Sequence, residues 1–242
     1  MPAALLSENR QRLLEVSIST LTTCLFRRGL RNTYLQGVVP VVAGLPRMVG
    51  EAYTLRFIPA REDLDQSVAY ASGQSIHQRA FEECPPGHVL VIDAHRETEC
   101  CTCGDLLVAR LKARGVAGIV TDGGFRDTRE IAALAFPAYH TRPAPPPSFI
   151  RLQAIDLNQP IGCARVPVYP GDVMVADGDG VVVIPSHLAN EVAVEAHEMT
   201  LYDEFAAAKI QEGRRVFGLY PATEASRAEH AGWRASRKQG RP

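Results

Sequence analysis

The sequence predicts a single α/β domain built on a mixed sheet, with helices at both chain termini. Three observations carry that class. The runs VLVIDA (89–94) and VAGIVTD (116–122) are short and continuously apolar, as in strands covered on both faces. Helix-like segments alternate with these runs, and strand, helix, strand, turn, helix is the α/β succession. The stretch GDVMVADGDGVVVIP (171–185) is two β segments joined by DGDG, a hairpin signal that makes the sheet mixed.

In chain order, residues 8–29 predict a first helix, with Leu13, Leu14, Ile18, Leu21, Leu25 and Phe26 near a 3.6-residue period and Gly29 as the stop. Valine-rich VVPVVAG and MVGEAYTLRFIP predict β structure broken by Gly and Pro. SIHQRAFEEC predicts a helix ending before PPGH. GDLLVARLKARG predicts another, closed by Gly115. TREIAALA continues as helix after TDGGFRD, and FPAYHTRPAPPPS reads as a proline-rich loop. LANEVAVEAHEMTLYDEFAAAKIQEG predicts a long closing helix. One domain is expected over residues 1–221, followed by a basic, flexible tail over 222–242 that carries Arg227, Arg234, Arg237, Lys238 and Arg241.

Composition narrows the function classes. The 242 residues are 46% hydrophobic and 22% charged, with a formal net charge of −1, so no electrostatic footprint for nucleic acid or an anionic membrane is present. No window approaches 18 uncharged apolar residues and the start lacks a signal-peptide pattern, so the expectation is a cytoplasmic protein. Its six cysteines are then expected as thiols.

Walker A, G-x-G-x-x-G, G-x-S-x-G and H-E-x-x-H motifs are all absent. HRETECCTCG (95–104) offers His95, Cys100 and Cys103 as zinc ligands, but its C-x-x-C pair begins only three residues after Glu97, unlike the zinc deaminases. The simpler reading is small, partly buried residues leading into a helix. GDLL is more informative. Gly104 and Asp105 precede a helix, so the amides of Leu106 and Leu107 fall among its unpaired first-turn donors, a natural carboxylate or phosphate site. Arg126 would hold the far side of an anion through its planar fork. Asp127 supplies a hard oxygen suited to Mg²⁺ or Mn²⁺ held mostly by water, with Asp105 and Asp122 able to accept from those waters. Helix capping competes with this reading, since Asp127-x-x-Glu130 fits a reciprocal cap and Asp105 a helix start. Arg126 weighs towards function, because a cap needs no arginine beside it.

Asp105 followed after twenty residues by Arg126-Asp127 resembles the signature of the metal-dependent pyruvate aldolases of the RraA-like family. These cleave 4-hydroxy-4-methyl-2-oxoglutarate and 4-carboxy-4-hydroxy-2-oxoadipate. MVGEAYTLR, PGHVLVIDA, GDLL, GVAGIVTDGGFRD and PGDVMVADGDGVVVIP extend the resemblance from the first helix to about Pro221. It implies a β/β/α, swivelling-domain-like fold and a homotrimer or hexamer with sites between subunits. It also implies cleavage of a 4-hydroxy-2-oxo dicarboxylic acid to pyruvate, and decarboxylation of oxaloacetate, both through a pyruvate enolate. The implied substrate carboxylate rests on the Gly104-Asp105-Leu106-Leu107 amides, with Arg126 at the ketone oxygen, Asp127 on the metal and Asp105 on a metal-bound water. Two positions depart from the pattern. Thr23 stands where relatives often carry aspartate, and the acid drawn from a neighbouring subunit has three candidates, Glu195, Glu198 and Glu204. The same family includes non-catalytic regulators of ribonucleases, the alternative reading.

Overall fold

The computed structural model describes residues 4–63 and 75–239. The single helix expected over 8–29 is two, α1 (Ser7–Glu15) and α2 (Ile18–Arg27). Ser17 between them is extended, and its hydroxyl accepts from the Thr20 amide at 3.2 Å, starting a new helix instead of continuing the old one. There follow β1 (Val39–Pro40), β2 (Met48–Pro59), α3 (Ile76–Glu83) and β3 (Val89–Asp93). Next come β4 (Cys101–Cys103), α4 (Asp105–Ala113), β5 (Gly118–Thr121), β6 (Gly124–Phe125) and α5 (Thr128–Ala133). The chain continues through β7 (Ala138–His140), β8 (Arg142–Pro143), β9 (Leu152–Leu157), β10 (Val173–Asp177) and β11 (Gly180–Ile184). It closes with α6 (Ala189–Gln211) and α7 (Glu224–Gln239).

The long strand β2 is the spine of a mixed sheet in the order β1-β7-β5-β3-β2-β10-β11. On one side it runs parallel to β3. On the other, its first half pairs antiparallel with β10 and its second half with β9. The unbroken apolar run of β3 has a simple cause: Leu90 and Ile92 enter one core, with Phe81, Val108 and Phe125, while Val89 and Val91 enter another, with Met48, Val120 and Met174. A third core packs α1, α2 and α6 on the DGDG hairpin, bringing Leu13, Leu21, Leu25 and Val192 against Val173, Val182 and Ile184. Strands β4, β6 and β8 form a separate parallel sheet.

Three sequence expectations need correction. The proline-rich loop contains β7 and β8. Tyr139 is buried and pairs with Val120, and Pro143 is tolerated because β8 is an edge strand that needs one set of hydrogen bonds only. Strand β9 has no counterpart in the sequence reading. The supposed tail holds α7, whose His230 and Trp233 rings lie 5.5 and 5.6 Å from Phe205. Its arginine Arg234 is paired with Glu198 at 2.6 Å. Two rings three residues apart make too narrow an apolar face to register as periodicity. Among the described residues no helix is long and apolar enough to cross a membrane.

Candidate active site

Two strand-to-helix junctions meet at one end of the small sheet. Strands β4 and β6 are parallel neighbours, with Cys101 opposite Gly124 and Cys103 opposite Phe125, so both chains leave at the same end. The first becomes Gly104-Asp105 and α4; the second becomes Arg126-Asp127 and α5. The Arg126 amide donates to the Cys103 carbonyl at 3.1 Å, fixing the second junction beside the first. The twenty residues between Asp105 and Arg126 are therefore the length of one helix, one buried strand and a turn.

Gly104 is required by this approach. A Cβ there would stand 2.6 Å from Asp127 Oδ2 and 3.1 Å from Arg126 Cγ. The Gly104 carbonyl accepts from the Val108 amide at 3.2 Å, which leaves the amides of Asp105, Leu106 and Leu107 as the unpaired donors at the start of α4.

The capping reading of Asp127 fails on geometry. Asp127 does occupy the N-cap position of α5, in a left-handed conformation (φ 53°, ψ 41°), but its side chain makes no cap hydrogen bond. Its Oδ2 instead accepts from Arg126 Nε at 3.0 Å. With side chains 46% and 33% exposed, such a pair contributes little to stability, at most about 1 kcal/mol. An aspartate in a conformation most residues avoid, with a carboxylate its own helix does not use, is the feature that calls for a functional account.

These groups line a cleft of about 250 Å³. Gly104, Asp105, Leu106, Leu107, Arg126 and Asp127, the sequence-derived candidates, all border it. The other walls were missed: His77, Cys101, Cys103, Pro147, Ser148 and Phe149. Cys101 and Cys103 are two apart on β4, so the period of a strand would have placed them on one face once β4 was known. Nothing in the sequence marks 147–149, which is brought over the cleft by the Cys101 amide donating to the Pro146 carbonyl at 2.8 Å. His77 shares a 2.7 Å hydrogen bond with the Thr102 carbonyl through Nε2, and burial pulls its pKa down to about 4.

Several candidates fall elsewhere. Asp122 is buried and holds the backbone together: its Oδ1 accepts from the Ala94 amide at 2.8 Å and its Oδ2 from the Ala164 amide at 2.9 Å. The glycines after it make room for neighbouring strands, not for a ligand. A Cβ on Gly123 would lie 2.9 Å from Ala94 Cβ, and one on Gly124 would lie 2.4 Å from Ala144 Cβ. The zinc reading finds no assembled ligand set. His95 Nε2 bonds to the Phe57 carbonyl at 2.8 Å, and burial pushes the Cys100 thiol up to about 12 and Cys103 well above the ordinary range. Among the described residues no three His, Cys, Asp or Glu side chains converge on a common point. Glu195 pairs with Arg27 and Arg28, Glu198 with Arg234, and Glu204 is exposed on α6; none lines this cleft. Thr23 donates to the Ser19 carbonyl at 3.0 Å and borders a different cleft together with Glu195 and Glu198.

Comparison with known proteins places this architecture. A family model described as RraA-like, Aldolase/RraA, matches residues 11–183. A Halalkalibacterium halodurans protein named "Putative 4-hydroxy-4-methyl-2-oxoglutarate aldolase" is 36% identical over 156 residues, 64% of this chain and 74% of that protein. Streptomyces coelicolor RraAS2, described as an unusual member of the RNase ES inhibitor RraA protein family, matches with a TM-score of 0.73 at 32% identity, covering 85% of this chain and 98% of that one. A protein of Pseudomonas syringae pv. tomato shares the fold, with a TM-score of 0.77 at 24% identity, covering 90% of this chain and 98% of that one. The chain belongs to the RraA-like family, and the mixed α/β fold expected from the resemblance is the one it adopts.

Proposed function

We propose that the protein is a divalent-metal-dependent carbon–carbon lyase that makes pyruvate from 2-oxo acids, by retro-aldol cleavage of a 4-hydroxy-2-oxo acid and by decarboxylation of oxaloacetate. The observation that carries this reading is the Asp127 carboxylate, unused by the helix it begins, facing the start of α4 across Gly104 with Arg126 alongside.

Each group has a task. The Leu106 and Leu107 amides hold the substrate carboxylate, favoured there by the helix N-terminus. Arg126 stands at the 2-keto oxygen, and its fixed charge is worth most when breakage of the C3–C4 bond turns that oxygen into an enolate. Asp105, at the same helix start, accepts hydrogen bonds from water at the cleft. Asp127 fits a hard cation: it is a partly exposed carboxylate, and Mg²⁺ takes one or two such ligands and keeps most of its waters. When bound, Mg²⁺ or Mn²⁺ would supply Lewis-acid stabilisation of the developing charge. No lysine lines the cleft, so a Schiff base has no donor among the described residues there.

Pyruvate release from oxaloacetate, measured with Mg²⁺ or Mn²⁺ and then in EDTA, tests the reading. It expects activity with metal and loss in EDTA; full activity in EDTA would overturn it. A homotrimer or hexamer is part of the same proposal, with Glu195, Glu198 or Glu204 of one copy completing the cleft of another, since none of them reaches the cleft of its own chain. Light scattering showing a fully active monomer would remove that part. A non-catalytic RraA-like regulator is the second reading, supported by the likeness to RraAS2. It would lead if no 2-oxo acid released pyruvate.

A further inference from the structure

The charge on the cleft walls is lopsided. Asp105 and Asp127 are acidic, and Arg126 is the one Lys or Arg side chain among the described residues lining the cleft. Its guanidinium already lies against Asp127. The remaining surface is uncharged: Cys101 and Cys103 are buried thiols, and Leu106, Pro147 and Phe149 are apolar. His77 adds no charge near neutral pH, because burial keeps its imidazole unprotonated. Residues 64–74, LDQSVAYASGQ, contain no Lys, Arg or His, so that stretch has no cation to add.

A 2-oxo acid must place its first carboxylate at the amides of α4 and its ketone at Arg126. Whatever is attached at C4 then meets thiols, a proline and an aromatic ring. A second carboxylate there would lose water without gaining a cation and would lie near two like charges. At about 250 Å³, the cleft is also just below the range of about 300–1,000 Å³ usual for small-molecule sites.

We infer that the preferred substrate is a 4-hydroxy-2-oxo monocarboxylate whose C4 substituent is small and uncharged, so that cleavage releases a neutral aldehyde or ketone beside pyruvate. This rests on the lyase reading above. In the reaction the C4 hydroxyl loses its proton and becomes the carbonyl of the released fragment. The C3–C4 bonding pair moves to the pyruvate enolate, and a proton is taken up at C3. Substrate and products balance with no oxidant, reductant or other co-reactant.

The test uses the full chain with Mg²⁺ and two probes of nearly equal size: 4-hydroxy-2-oxopentanoate, ending in a methyl group, and 4-hydroxy-2-oxoglutarate, ending in a carboxylate. The inference expects kcat/KM for pyruvate release to favour the methyl probe by at least about tenfold, the scale on which a mismatched pocket discriminates. Phe149→Arg, a change at a partly exposed wall residue, is expected to narrow that preference. Equal rates, or a preference for the carboxylate probe, would overturn the inference and imply a cation supplied by another copy. A preference unmoved by Phe149→Arg would overturn the role given to the wall. Cleavage of neither probe, with oxaloacetate still decarboxylated, would overturn the inference and leave the lyase standing. Loss of all three reactions would remove both.

Discussion

Gly104 and Asp127, twenty-three positions apart in sequence, approach so closely that a methyl group on the glycine would stand 2.6 Å from the aspartate Oδ2. The approach sets the width of the cleft between the α4 amides and the acidic side chain. Gly104→Ala should push Asp127 and Arg126 aside, costing about 1–3 kcal/mol as an overpacked site does and abolishing most pyruvate release. Thermal denaturation and the oxaloacetate assay check it. A variant with wild-type rate would show that the spacing is not functional.

Arg126 and Asp127 form an exposed pair whose removal barely affects stability. Arg126→Lys keeps the charge and loses the planar fork, so turnover should fall about tenfold or more while the denaturation midpoint stays near wild type. A midpoint that falls in step with activity would assign the arginine a structural role.

The two glycines before the pair should behave as packing residues. Gly124→Ala drives a methyl into Ala144 Cβ and the Arg142 carbonyl, at 2.4 and 2.9 Å, and should destabilise by about 1–3 kcal/mol or more. At Gly178, in the hairpin turn, nothing lies within 4 Å of a built Cβ, so Gly178→Ala should be close to neutral. Parallel urea titrations compare them, and equal losses would contradict the close contact between β6 and β8.

His77 and His140 give the pH dependence. Burial lowers both imidazoles from 6.5 to about 4. Below pH 6.5 the unfolded chain takes up protons that the folded chain refuses. Stability is therefore full above pH 6.5 and falls as pH drops towards 4, by up to about 1.4 kcal/mol per pH unit for each ring. His140 stacks on Phe125 and its Nδ1 has no hydrogen-bond partner, so His140→Phe should flatten that slope by one ring's share. Urea midpoints at pH 7.5, 6 and 5 that fall in parallel for both proteins would contradict it.

The parts legible in the sequence were those with local causes. The DGDG hairpin, the runs of β3 and β5 and the spacing from Asp105 to Arg126 all follow from backbone conformation, burial on two faces or motif. What was hidden depends on partners distant in sequence. Asp122 shares a turn with Arg126 yet points into the backbone of Ala94 and Ala164, and only the fold separates the two roles. Pro147 and Phe149 carry no chemical signature, because they matter through position alone. The first helix breaks at Ser17 because a hydroxyl captures one amide, a local event that the apolar period running across it conceals.

The most direct test is Asp127→Asn, which conserves size and tolerance of the left-handed conformation but removes the charge. Mg²⁺ binding by isothermal titration, pyruvate release from oxaloacetate and the thermal midpoint would be measured on the same preparation. The account predicts a midpoint near wild type, since no cap bond is lost, with Mg²⁺ binding and turnover both reduced to near background. Wild-type Mg²⁺ affinity and wild-type turnover in the variant would contradict it.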